Sequence, residues 1–289
     1  MRLGKTMKKI SLLKLLAFIW VVFSFADAFP GPRERLVSAV SANGEYNVES
    51  RQFFGGEEAD VTVRDSSGET VGEFTINTSP HGVFKTLVSD DGKRVVVFCH
   101  GWYGAVWIQS IRFYDTNGNL VKNHDVGARR MRPPVSPQIS PDGRNLIYGG
   151  LYYPAADPRH MGISAHRMTT GEQIWETGLE SRPRDIKTSG DSRWIVALTG
   201  TDPASREIVL MNSAGRKYDS KILGITPGPH GEELIFESIS RGGDEIIFRE
   251  QSVEKKDDRF RRKETRRFIL KRVRGNLVLE EVIELEETE

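Results

Sequence analysis

Three aromatic pairs, Phe53-Phe54, Trp102-Tyr103 and Tyr152-Tyr153, stand in glycine- and proline-marked loops, and six arginines, Arg129, Arg130, Arg132, Arg159, Arg182 and Arg184, stand in or beside loops of the same kind. Aromatic faces stack on planar or sugar surfaces, and guanidinium groups grip carboxylates through two parallel hydrogen bonds. This set therefore points to binding of an acidic or planar ligand, a glycan or a peptide. Gly101 and Gly104 flank Trp102-Tyr103 and free its loop to present the rings. Residues for covalent chemistry are fewer. Cys99 is the single cysteine and ends the apolar run from Arg94, where a small buried core residue is expected. His81, His100, His124, His160, His166 and His230 show no metal-ligand spacing, and no G-x-S-x-G, H-E-x-x-H, phosphate-binding or calcium loop occurs. Neither catalysis nor a metal or cofactor is expected.

The elements that must position these residues are read from turns. Ala42-Asn43-Gly44, Asp90-Asp91-Gly92, Pro141-Asp142-Gly143, Gly190-Asp191-Ser192 and Arg241-Gly242-Gly243 recur about every 50 residues, each preceded by a serine: Ser41, Ser89, Ser140, Ser189 and Ser240. A second turn keeps step at Asp65–Gly68, Asp115–Gly118, Met168–Gly171, Asn212–Gly215 and Arg274–Asn276. Short apolar strands fit between them, so each copy is a four-stranded antiparallel meander. Such a sheet hides its faces only against neighbours of the same kind. The Ser140–Arg144 segment, S-P-D-G-R, resembles the WD-like β-propeller repeat, and Thr169–Trp175, T-T-G-E-Q-I-W, resembles the pyrroloquinoline-quinone-like repeat. The resemblance implies an all-β, five-bladed propeller over residues 29–289, with a drifted sixth blade as the alternative and the N-terminal strand beside the C-terminal blade to close the ring. The calcium carboxylates and tryptophan floor of quinoproteins have no counterpart here, and Trp175 belongs to the repeat.

Composition agrees with a soluble globular domain: 289 residues, 38% hydrophobic, 28% charged, formal net charge +1. A near-neutral balance gives no general pull toward nucleic acid or membrane. Residues 1–28 read as a signal peptide: Arg2, Lys5, Lys8, Lys9 and Lys14 precede the apolar run Leu15–Ala26, and Ala26-Asp27-Ala28 offers a cleavage site near Ala28. A periplasmic or secreted protein is expected, meeting the membrane only if that segment stays as an anchor.

In a meander both glycine-marked turns fall on one rim, and the loops between second and third strands and between blades fall on the other. Trp102, Tyr103, Tyr152, Tyr153 and the six arginines share that loop rim, where function is expected. The reading is a non-catalytic binding or scaffolding module for a protein, peptide or glycan, acting as a monomer and not on nucleic acid. One alternative is a carbohydrate-active hydrolase or lyase, which needs converging carboxylates. The inner strands supply only Asp185, Glu233 and Glu237. Another is a subunit of a membrane-associated assembly docking through its charged C-terminal hairpin. There Lys255–Arg274 holds 11 basic residues, read as a loop followed by a strand, and the six glutamates of Glu280–Glu289 are expected to pair with them across strands.

Overall fold

A computed structural model describes residues 34–53, 56–78, 81–101, 107–125, 134–151, 161–200, 206–223, 232–256 and 259–284. All of its regular structure is β, in five four-stranded antiparallel sheets, each made of four consecutive strands. Blade 1 is β1 (Glu34–Val40), β2 (Tyr46–Phe53), β3 (Glu58–Asp65) and β4 (Thr70–Asn77). Blade 2 is β5 (His81–Val88), β6 (Arg94–Gly101), β7 (Trp107–Asp115) and β8 (Leu120–Asp125). Blade 3 is β9 (Val135–Ile139), β10 (Asn145–Leu151), β11 (Met161–Arg167) and β12 (Gln173–Gly178). Blade 4 is β13 (Pro183–Thr188), β14 (Trp194–Thr199), β15 (Glu207–Asn212) and β16 (Lys217–Ile222). Blade 5 is β17 (Glu232–Ile239), β18 (Glu245–Lys256), β19 (Arg259–Val273) and β20 (Asn276–Glu284). This is the five-bladed propeller the repeat predicts.

The recurring serine has a physical role. Its Oγ accepts the backbone N–H five residues on at 3.0 Å in all five blades. In blades 1 to 4 it also donates to the Asn or Asp two residues on, at 2.6–2.7 Å. One hydroxyl thus closes the turn from inside. Ser192 replaces the usual glycine at φ +59. It repays that conformation by accepting Asp142 N–H from blade 3 at 2.9 Å.

Glycine is required at Gly171, where φ is +69 and an added Cβ would lie 2.4 Å from Lys122 Cβ and 2.8 Å from Phe113 Cδ2, both in blade 2. Gly143 has the same φ with nothing within 4 Å. Gly171→Ala is expected to destabilise by about 3 kcal/mol, backbone strain plus clash, and Gly143→Ala by about 1 kcal/mol, strain alone. Chemical denaturation of the pair separates the two terms.

Packing follows blade order. Val48, Val61 and Val63 meet Val83, Val97 and Cys99 between blades 1 and 2. Phe98, Ile111 and Phe113 meet Leu146, Tyr148 and Met168 between blades 2 and 3. Ile147 and Ile163 meet Ile186, Ile195 and Val209 between blades 3 and 4. Leu198, Ile208 and Leu210 meet Phe236, Ile246 and Phe248 between blades 4 and 5. Strands covered on both faces read as continuous apolar runs, as Val95–Cys99 does with every residue fully buried. Cys99 is the core residue expected, and burial pushes its thiol pKa up.

The fifth junction differs. Strand β2 alternates Asn47, Glu49 and Arg51 with buried Val48 and Ser50, so only the face toward blade 2 is apolar. On the other face Leu36, Val40 and Phe53 are 55%, 63% and 56% exposed. No core cluster, hydrogen bond or ion pair joins blades 5 and 1 among the described residues. Strand β1 pairs with β2, and blade 5 is built wholly from β17–β20, as the repeat predicts.

Every outer strand carries a bulge opposite its blade's third strand. The extra residue is Val71, Val121, Ile174 or Tyr218 in blades 1 to 4, and each is at least 36% exposed. A bulge twists the free edge and blunts pairing with another sheet.

A histidine pair crosses the junction of blades 2 and 3. His166 is fully buried, and its ring lies 4.8 Å from that of His124. His166 Nδ1 is 3.2 Å from the Gly171 carbonyl, which can only accept, so the proton sits on Nδ1 and Nε2 accepts the Tyr148 hydroxyl at 3.0 Å. Burial, with His124 adding to it, lowers the His166 pKa to about 4, and burial lowers that of His124 too. The folded state resists protons that the unfolded chain takes up near 6.5. This contribution is complete above pH 6.5 and lost as pH falls toward 4, by about 3 kcal/mol for His166. Unfolding free energy measured from pH 7 to 4 should fall over that window. His166→Leu should be less stable at pH 7 but show a shallower fall.

Candidate functional site on the loop rim

Of the predicted rim residues, Phe53, at the exposed end of β2, Arg182 and Arg184 fall among the described ones, and Phe54 does not. Trp102, Tyr103, Arg129, Arg130, Arg132, Tyr152, Tyr153 and Arg159 lie outside them. The two arginines meet in a pocket of about 320 Å³ lined by Val135, Arg182, Pro183, Arg184 and Gly200, where blades 3 and 4 meet on the loop rim.

Its walls are built by backbone detail. Pro183 opens β13 and its ring presses on Gly149 of β10, where an added Cβ would lie 2.8 Å from the ring's Cγ. Only a glycine lets the proline come so close. Pro183 opposes Thr199 and Asp185 opposes Leu198, which leaves Arg184 as the extra residue of a bulge. Arg184 is exposed and Arg182 half-buried. Gly200 follows β14 at φ +95, and its carbonyl accepts from Nη1 of buried Arg206 at 2.9 Å. The neighbouring blade is laced in: Ser136 Oγ donates to Asp185, and Gln138 Nε2 donates to the Ile186 carbonyl at 2.8 Å. Asp185, the nearest carboxylate in sequence, also accepts its neighbour's backbone N–H at 2.8 Å. The bulge that presents Arg184, and the roles of Val135, Gly149 and Gly200, were not anticipated. An isolated glycine within the strand pattern at Gly149 was the signal for close backbone approach.

A second cluster lies on this rim at the junction of blades 1 and 2. Arg35 Nη1 donates to His100 Nε2 at 2.6 Å, and Gln52 Nε2 donates to the Gly56 carbonyl and to Thr78 Oγ1 at 2.9 and 2.7 Å. Burial lowers the Arg35 pKa from its ordinary value. The group remains a cation, because an arginine stays charged at any pH a folded protein meets.

The three carboxylates weighed for glycosidic chemistry are each engaged with other groups. Asp185 is held by Ser136. Glu237 pairs with Arg249 and Arg267 at 3.5 and 3.2 Å. Glu233 lies at the opposite end of β17 from the turn and has partners of its own. Among the described residues no group of three or more His, Cys, Asp or Glu could hold a metal ion.

The charged C-terminal hairpin also departs from expectation. Lys255 to Lys263, read as a loop, is strand apart from residues 257 and 258, which lie outside the described ones. Its register sets Glu254 opposite Arg261 but Lys256 opposite Arg259. Of the predicted pairs between β19 and β20, Lys271–Glu280 at 3.5 Å is present. Arg266 turns instead to Glu250, and Arg267 to Glu237 and Glu264.

Five blades of this kind, with the inner strands of successive blades in contact from β1 to β17, define the chain as a β-propeller. No family model matches it, and no curated protein matches it in sequence. Among solved structures it is similar to hydrazine synthase of Kuenenia stuttgartiensis, 17% identical over 89% of this chain and 67% of that one, TM-score 0.54. Two further likenesses are to the periplasmic gluconolactonase PpgL of Pseudomonas aeruginosa (16%, 88% of this chain, 72% of that one, TM-score 0.49) and a putative TolB of Agrobacterium tumefaciens (14%, 88%, 83%, 0.42). At such identities the likeness speaks for the fold and not for an activity.

Proposed function

We propose that this protein is an exported binding module that takes a carboxylate-bearing ligand, an acidic peptide or an acidic glycan, on its loop rim. The observation that carries the reading is the pocket joining Arg182 and Arg184 beside Gly200. Arg182 and Arg184 both line it, and the adjacent carboxylate of Asp185 is held by Ser136 and by its neighbour's backbone N–H, so the pocket offers cationic side chains to an anionic ligand. The aromatic pairs of the neighbouring loops add stacking surface in this reading, and the N-terminal leader supplies export to the periplasm or outside.

Calorimetric titration with oligoglutamate and with oligogalacturonate tests it and separates the two ligand sources. Arg182→Ala and Arg184→Ala should each weaken the better ligand about tenfold, the loss of one charge-assisted hydrogen bond. Arg144→Ala, an exposed arginine on the turn rim, should leave binding unchanged. Equal affinity in all four proteins would remove the pocket from consideration.

A further inference from the structure

The cluster at the junction of blades 1 and 2 holds a cation that is paired to no carboxylate among the described residues. Strand β1 alternates, and Val37 and Ala39 turn to the core shared with blade 2. The period of two carries Arg35 onto the same face, at the loop-rim end of the strand, where it opposes Gln52. Apolar packing stops there, and Arg35 stays half-buried. Glu34, its neighbour in the chain, lies on the opposite face of the strand and pairs with Arg51 at 3.2 Å. Glu57 joins the cluster through its backbone carbonyl, which accepts Thr78 N–H at 2.6 Å, and is itself exposed.

The groups around Arg35 hold its geometry without neutralising it. Buried Gln52 gives its amide protons to Gly56 and Thr78, and its carbonyl takes Val83 N–H at 2.9 Å. Buried His100 accepts from Arg35 Nη1 at 2.6 Å, and since a guanidinium only donates, the His100 Nε2 carries no proton. Its ring fits because Gly82 beside it has no side chain: an added Cβ would lie 2.8 Å from Nε2. Tethered at one nitrogen, Arg35 keeps its Nε and Nη2 donors, side by side on one edge, without a partner among the described residues.

We infer that this corner of the rim is a second anion site, in which the Nε–Nη2 edge of Arg35 takes two oxygens of a carboxylate or phosphate group through parallel hydrogen bonds. A half-buried cation whose protein partner is a neutral ring lacks the counter-charge such a position ordinarily has, and an arriving oxyanion supplies it. His100 is a positioning residue that fixes the plane of the fork. The site lies two junctions away from the Arg182–Arg184 pocket around the ring and does not rest on it.

Proton–nitrogen NMR of the full chain, titrated at fixed ionic strength with inorganic phosphate and separately with acetate, tests this through the Arg35 Nε–H and the Val83 amide. At least one anion should give saturable shifts with a Kd of about 10 mM or tighter, and the tighter of the two identifies the group as phosphate or carboxylate. Arg35→Lys keeps the charge but loses the fork, and should weaken that anion about tenfold at the Val83 amide. His100→Leu should weaken it severalfold, and His100→Gln, whose amide oxygen still accepts, should recover most of that loss. Arg51→Ala on the opposite face and Arg182→Ala at the other pocket should leave the Kd unchanged, so the two sites are read separately. Shifts that never saturate with either anion, or a wild-type Kd in Arg35→Lys, overturn the site. Equal affinities in His100→Leu and His100→Gln overturn the role given to His100.

Discussion

Phe98→Ala is expected to lower the unfolding free energy by about 4 kcal/mol, near the upper end for a buried aromatic ring. The ring is fully buried at the junction of blades 2 and 3 and meets Tyr148 edge to face, centroids 5.7 Å apart and planes at 85°. Removing it leaves a cavity between two sheets that cannot collapse without shifting a blade. The size of the loss says where stability resides. Leu36→Ala on the uncovered face of blade 1 should cost under about 0.5 kcal/mol, since over half of that side chain's surface is already wet. Urea unfolding of both variants measures the difference between a packed junction and an open face.

Arg266→Ala is expected to cost about 3–5 kcal/mol. Glu250 is 1% exposed, and its carboxylate accepts from Arg266 Nε at 2.5 Å and Nη2 at 2.8 Å and from the Thr265 hydroxyl at 3.2 Å. Taking the guanidinium away strands a buried negative charge. Replacing both partners, Arg266→Met with Glu250→Met, should recover most of the loss, because no charge then needs a partner. A double-mutant cycle in urea therefore separates the penalty of a stranded charge from the worth of the pair. If the double variant is as unstable as Arg266→Ala alone, the packing of these side chains matters more than their charge.

Much of the architecture was legible because one hydroxyl and one turn residue do a local job five times. Ser89 and Gly92 close their turn by bonds within six residues, so no knowledge of the neighbouring blade is needed to see them. Features that depend on a neighbour were not legible. The bulge that exposes Tyr218 shifts the strand's alternation by one position, and a sequence read with period two places that residue on the wrong face. The polar, exposed outer face of blade 1 is written in the alternation of Asn47, Glu49 and Arg51, in contrast to the unbroken apolar run Val95–Cys99. At the site, arginine chemistry singled out Arg182 and Arg184. What presents them, a bulge at Arg184 and the close approach of Pro183 to Gly149, arises from contact between blades 3 and 4. The charged run around Lys255–Lys263 was taken for a loop because low hydrophobicity hides cross-strand pairing that depends on register alone.

Amide hydrogen exchange with and without a saturating acidic oligomer tests the central claim, that recognition belongs to the loop rim between blades 3 and 4. The account predicts added protection at Val135, Arg182, Arg184 and Gly200, and none at the turns around Gly92, Gly143 and Gly243. Protection confined to those turns, or spread evenly over both rims, would contradict it.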